Sequence, residues 1–144
     1  MKIKLAVLAV AGLAALGLYD SKLGAQDGGK NASDGVYTSA QANTGKGGYA
    51  SKCASCHGDA LTGGEMAPAL AGGDFMANWN GLTVYDFFDR VRKTMPLGKE
   101  GSVSREDTAS ITAFILQANG YPAGQAELAS KDELLRMIKL DTKR

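Results

Sequence analysis

The sequence predicts an all-α fold, three to five short helices joined by long loops. No run alternates apolar and polar residues as a half-buried strand would. Two stretches, Val84 to Val91 and Ile111 to Ala118, repeat apolar residues at i, i+3, i+4 and i+7, each behind a capping residue. Glycine supplies 19 of 144 residues, well above the usual ~7 per cent, which favours short helices and long connections. A chain of this length holds one domain plus extensions.

The N-terminus has the pattern of an export signal. Lys2 and Lys4 precede an apolar run from Leu5 to Leu18. That run suits the ~7–15 residues of a signal core and is short of the ~20 needed to span a bilayer. Residues 1–25 are expected to be a signal peptide cut after Ala25, leaving no stable membrane span. Leu23 departs from the small residue usual before such a cut, so an uncleaved anchor stands as the alternative. The absence of a cysteine near the cut excludes a lipid anchor. Gln26 to Gly35 (QDGGKNASDG) is polar and Gly-rich and is expected to be a flexible linker, with the folded unit spanning 36–144.

Thr38-Ser39-Ala40-Gln41 has capping-box spacing, with Gln41 reaching back, and opens a first helix running to about Cys53. Gly45, Gly47 and Gly48 weaken it by about 1 kcal/mol each, so it needs tertiary support. Gly45, Tyr49 and Cys53 share one face, where a glycine permits close approach of another helix. Gly58 to Gly73 is expected to be an irregular loop, and Asp74 to Trp79 one short helical turn. Thr83 caps an amphipathic helix carrying Val84, Phe87, Phe88 and Val91, stopped by Pro96. Ser104 caps another, with Ile111, Phe114, Ile115 and Ala118 on its buried face and Asn119-Gly120 at its end. Pro122 to Ala129 reads as an extended tail, followed by a short helix from Lys131 to about Ile138.

Chemistry concentrates at Cys53-Ala54-Ser55-Cys56-His57, a Cys-x-x-Cys-His attachment signal for a c-type haem. Two thiols at this spacing reach the two vinyl groups on one porphyrin edge, and the next residue falls under the iron. These are the only cysteines in the chain, and His57 is its only histidine. Three other readings compete: a thioredoxin-like pair, which needs a preceding strand; a zinc site, which needs about four ligands; and a plain disulfide. The net charge is +1, or −1 without residues 1–25, and neither value suggests nucleic acid as a partner.

The sixth position of such an iron is either open or filled by a methionine, since no second histidine exists. Met95, at a helix end before Pro96, is the candidate; Met66, Met76 and Met137 are read as core filling.

From Val36 to Asn119 the chain resembles the class I cytochrome c family. The resemblance rests on Gly45 and Tyr49 ahead of the motif, Pro68 and Leu70 after it, Met95, and Ile111 and Phe114 on a C-terminal helix. It implies a class I cytochrome c fold wrapped around one covalent haem c. The first and last main helices would cross at Gly45, with Tyr49 and Phe114 packing there. The Pro68 carbonyl would accept the His57 Nδ1 proton. Leu70 would lie against the porphyrin. Trp79 would either donate to a haem propionate or serve as simple core.

The stretch from Gly72 to Leu128 resembles the single-haem cytochromes that accompany PQQ-type dehydrogenases. With His57 and Met95 both on the iron, chemistry would be one-electron exchange. The expected role is an exported, periplasmic electron carrier. Its donor would be a PQQ-type dehydrogenase, its acceptor a terminal oxidase or another cytochrome. An open-site haem protein with ligand-binding or peroxidase activity, and a dedicated subunit of one dehydrogenase, are the alternatives. Arg90, Arg92, Lys93, Lys99 and Arg105 bracket Met95 in sequence, either ringing an exposed haem edge or lying on an ordinary solvated face.

Overall fold

The computed structural model describes residues 29–141. The signal peptide expected over 1–25 and the first residues of the linker lie outside them. Among the described residues a 3-10 turn (Ala32–Asp34) precedes six α-helices, α1 (Ser39–Lys52), α2 (Ala54–His57), α3 (Gly72–Trp79), α4 (Val84–Thr94), α5 (Arg105–Ala118) and α6 (Asp132–Arg136). Two-residue strands β1 (Lys30–Asn31) and β2 (Ile138–Lys139) pair in parallel, Lys30 with Ile138 and Asn31 with Lys139. The fold is the all-α class expected. The small sheet was not foreseen, because two-residue strands carry no periodicity to read.

The centre of the fold is the crossing of α1 and α5. A Cβ built on Gly45 would lie 1.7 Å from the Ser110 carbonyl oxygen, so only glycine lets the two backbones meet there. One turn on, Tyr49 packs on Phe114 with ring centroids 5.4 Å apart. Ile111, Ile115 and Leu116 are almost fully buried from the α5 side. Each such side chain contributes roughly 1.5–3 kcal/mol relative to exposure, which supplies the support that the glycine-rich α1 lacks intrinsically.

Thr83 caps α4 as expected, in a capping box with Asp86. The Asp86 carboxylate accepts from the Thr83 N–H at 2.8 Å and hydroxyl at 2.7 Å. Those hydrogen bonds hold its carboxyl below the ordinary carboxylate range. Val84, Phe87 and Phe88 form the buried face of α4. Phe87 meets Trp79 and Phe75 edge-on, at 4.9 and 5.5 Å, which docks α3 onto α4. Helix α3 spans eight residues from Gly72, longer than the single turn expected.

Two expectations about the ends of the folded unit are corrected. Residues 30–35 belong to the fold rather than to a flexible linker. Ala32 is fully buried, Asn31 and Asp34 form a capping box, and β1 is paired. Gln41 does not reach back to its own cap. Thr38 does cap α1, accepting from the Gln41 N–H at 3.1 Å, but the Gln41 amide turns to the C-terminal extension. Its Nε2 donates to the Leu128 carbonyl at 2.9 Å, and its Oε1 accepts from the Leu128 N–H at 2.7 Å. A buried residue with both a donor and an acceptor satisfies two backbone groups at once, which outweighs a local bond that water can replace.

Candidate functional site

Helix α1 ends at Lys52, and Cys53 departs from helical geometry at φ −126° before the single turn of α2 carries Cys56 and His57. Both cysteines are free, Cys53 half-buried and Cys56 exposed, so the pair is not a disulfide. Burial pushes the Cys53 thiol up from its ordinary value, opposite to the lowered value of a thioredoxin-type nucleophile. Among the described residues no three or more His, Cys, Asp or Glu side chains group as metal ligands, which disfavours a zinc site. Unpaired thiols at this spacing, followed by an imidazole, fit haem attachment.

His57 is 8% exposed, and its Nδ1 lies 2.8 Å from the Pro68 carbonyl oxygen, to which it donates. That bond places the proton on Nδ1 and leaves Nε2 as the ring's ligating atom. The backbone around His57 is held as well. The Gly63 N–H donates to the His57 carbonyl at 2.9 Å, and the Tyr49 hydroxyl donates to the Gly58 carbonyl at 2.7 Å. Burial, with Cys53 and Asp59 nearby, pushes the Tyr49 phenol up to about 12.

Leu70 follows Pro68, half-buried, its N–H on the Leu61 carbonyl at 2.8 Å. The Asn119 side chain stitches this loop to the end of α5. Its Nδ2 donates to the Leu70 carbonyl at 2.9 Å, and its Oδ1 accepts from the Gly72 N–H at 3.0 Å. Met95 is the C-terminal cap residue of α4, half-buried, its N–H on the Val91 carbonyl at 3.0 Å. Met66 is 87% exposed at the tip of the turn joining Gly64 to Ala67, and so is not core filling. Trp79 lies in the aromatic cluster with Phe75 and Phe87. Thus Pro68 and His57 are brought together directly, whereas no hydrogen bond ties Met95 or Trp79 to them.

The family described as "Cytochrome C oxidase, cbb3-type, subunit III" matches residues 40–115, slightly more than half of the chain. This chain belongs to that family of c-type cytochromes. A chain in "Crystal Structure of the Sulfane Dehydrogenase SoxCD from Paracoccus pantotrophus" is similar to the cytochrome, at 33% identity and a TM-score of 0.56. The match covers 69% of the cytochrome and 52% of that chain, so the cytochrome spans about half the length of the solved chain it matches. The comparison with curated proteins found no match. The cofactor of this family, for which Cys53, Cys56 and His57 supply the attachment residues, is covalent haem c.

Sequence reasoning missed Gly63 and Asn119 as parts of the site. Gly63 was visible only as half of a Gly-Gly pair, and Asn119 only as a helix end. The basic residues around Met95 make contacts of their own. Arg92 donates to the Val103 carbonyl. Arg105 holds the Ser130 carbonyl and Asp132 and lies over the Phe88 ring. Lys93 pairs with Asp89 at 2.8 Å. Of the five, three are committed to contacts within the fold.

Proposed function

We propose that the cytochrome is an exported single-haem carrier whose iron is held by His57 and Met95. Electrons pass from a periplasmic dehydrogenase to a respiratory acceptor, a terminal oxidase or another cytochrome. The observation that carries the reading is the buried His57 ring with Nδ1 on the Pro68 carbonyl, directly after two free thiols. Haem, when bound, supplies one-electron Fe(II)/Fe(III) exchange.

The residues divide the remaining work. Cys53 and Cys56 anchor the group covalently, which prevents its loss outside the cytoplasm. Pro68 holds the His57 proton on Nδ1 and raises the basicity of Nε2. Met95 presents a thioether, a weaker donor than imidazole that favours the reduced state. Were His57 and Met95 both to hold the iron, no position would be left for a substrate, and the cytochrome would conduct rather than catalyse. The likeness to a chain of a sulfane dehydrogenase supports a dehydrogenase as donor. The PQQ type rests on the resemblance of residues 72–128, and periplasmic residence on the export pattern of residues 1–25.

Substitution of Met95 tests the ligand set. Met95→Ala abolishes the weak long-wavelength absorption of thioether-ligated Fe(III) and opens the ferrous protein to CO, whereas Met66→Ala leaves both unchanged. An unchanged band in Met95→Ala overturns the assignment, and rapid CO binding by the native ferrous protein favours the open-site alternative. The SoxCD likeness also supports a second reading, a dedicated subunit of one dehydrogenase, which stable co-purification with such an enzyme would distinguish.

A further inference from the structure

We propose that Gly63 is a positioning residue for the haem ligand His57, setting the strength of the His57–Pro68 hydrogen bond and through it the reduction potential. The inference rests on the reading of His57 as an axial ligand. The chain must bring the Pro68 carbonyl back to a ring eleven residues earlier. Gly63 is where it turns, at φ +69°, a conformation L side chains rarely adopt. A Cβ there would stand 2.5 Å from the Ala69 nitrogen, 2.6 Å from the Ala67 oxygen and 2.6 Å from the Pro68 carbonyl carbon. All three are backbone atoms, so no rotamer change relieves the contact. The strand of loop that carries the acceptor is therefore packed directly on the missing Cβ of Gly63.

The same residue is tied to the donor. Its N–H bonds the His57 carbonyl at 2.9 Å. One glycine thus touches the backbone of His57 on one side and the carbonyl group that receives the His57 proton on the other. The neighbouring glycine provides a contrast: a Cβ on Gly64 meets nothing within 4 Å, and its backbone is not left-handed. A side chain at 63 displaces the segment carrying Pro68, and the Nδ1–H···O bond is expected to lengthen. A weaker bond leaves the imidazole less electron-donating, so the reduced state gains and the potential rises.

The test compares haem-loaded Gly63→Ala, Gly63→Asn and Gly64→Ala with the native protein. The readouts are midpoint potential by redox titration and exchange of the His57 Nδ1 proton by NMR. Asn tolerates a left-handed backbone, so Gly63→Asn separates the Cβ contact from backbone strain and carries the test if the Ala variant loads poorly. Both Gly63 variants are expected to show faster Nδ1 proton exchange and a higher potential, with Gly64→Ala matching the native protein on both. Native-like values in Gly63→Asn, or an equal shift in Gly64→Ala, overturn the proposal. The ligand reading fails separately, if the oxidised native protein shows no paramagnetically shifted His57 ring resonances.

Discussion

Tyr49 serves two elements with one side chain. Its ring packs on Phe114 at the α1–α5 crossing, and its hydroxyl holds the Gly58 carbonyl just past His57. Tyr49→Phe keeps the first contact and removes the second, at a cost of about 1 kcal/mol in unfolding free energy. The same variant alters the response to alkali. The folded-state phenol is raised from 10.0 to about 12, so its contribution is full below pH 10 and is lost as pH climbs towards 12. Denaturant titrations across that window are expected to fall less steeply for Tyr49→Phe than for the native protein. Tyr37 and Tyr121, also raised by burial, leave a residual slope. At this scale the site was largely legible. Cys53, Cys56 and His57 stand out by their spacing alone, and the His57–Pro68 contact that the resemblance implies is present. Gly63 was not legible, because its role depends on three backbone atoms of residues 67–69 folding back over it.

Helix α1 holds two kinds of glycine. Gly45 is pressed against the Ser110 carbonyl, whereas a Cβ on Gly47 meets nothing within 4 Å. The two alanine substitutions should therefore have opposite signs. Gly45→Ala forces α1 and α5 apart and costs about 2–3 kcal/mol. Gly47→Ala relieves the helix of a poor former and stabilises by about 1 kcal/mol. Thermal unfolding of the two variants side by side checks the pair. If both destabilise equally, the crossing is not where the structure puts it. The helices themselves were readable where capping and periodicity coincide, as at Thr83 and Ser104, because those signals are local. The start of α3 was not, since Ala71 caps it with no side-chain hydrogen bond.

Contacts between the first and last described segments close the fold. Lys30–Asn31 pairs with Ile138–Lys139, Leu128 is clamped by Gln41, and Arg105 holds Ser130 and Asp132. The Gln41 clamp is the most buried of these. Gln41→Ala leaves the Leu128 N–H and carbonyl without partners and is expected to cost about 2–3 kcal/mol. Limited proteolysis should then cut within residues 122–131 while the haem absorption spectrum stays native. A native proteolysis pattern would show that the extension is held by its apolar contacts alone. The sequence by itself determined the helical class, the order of the main helices and the covalent haem motif. Each is written in residues at most eight apart, where spacing alone constrains geometry. Only the tertiary structure decided where Gln41 spends its amide, and that residues 30–35 are part of the fold. Those outcomes turn on partners tens of residues away in the chain, and a one-dimensional pattern carries no record of such distances.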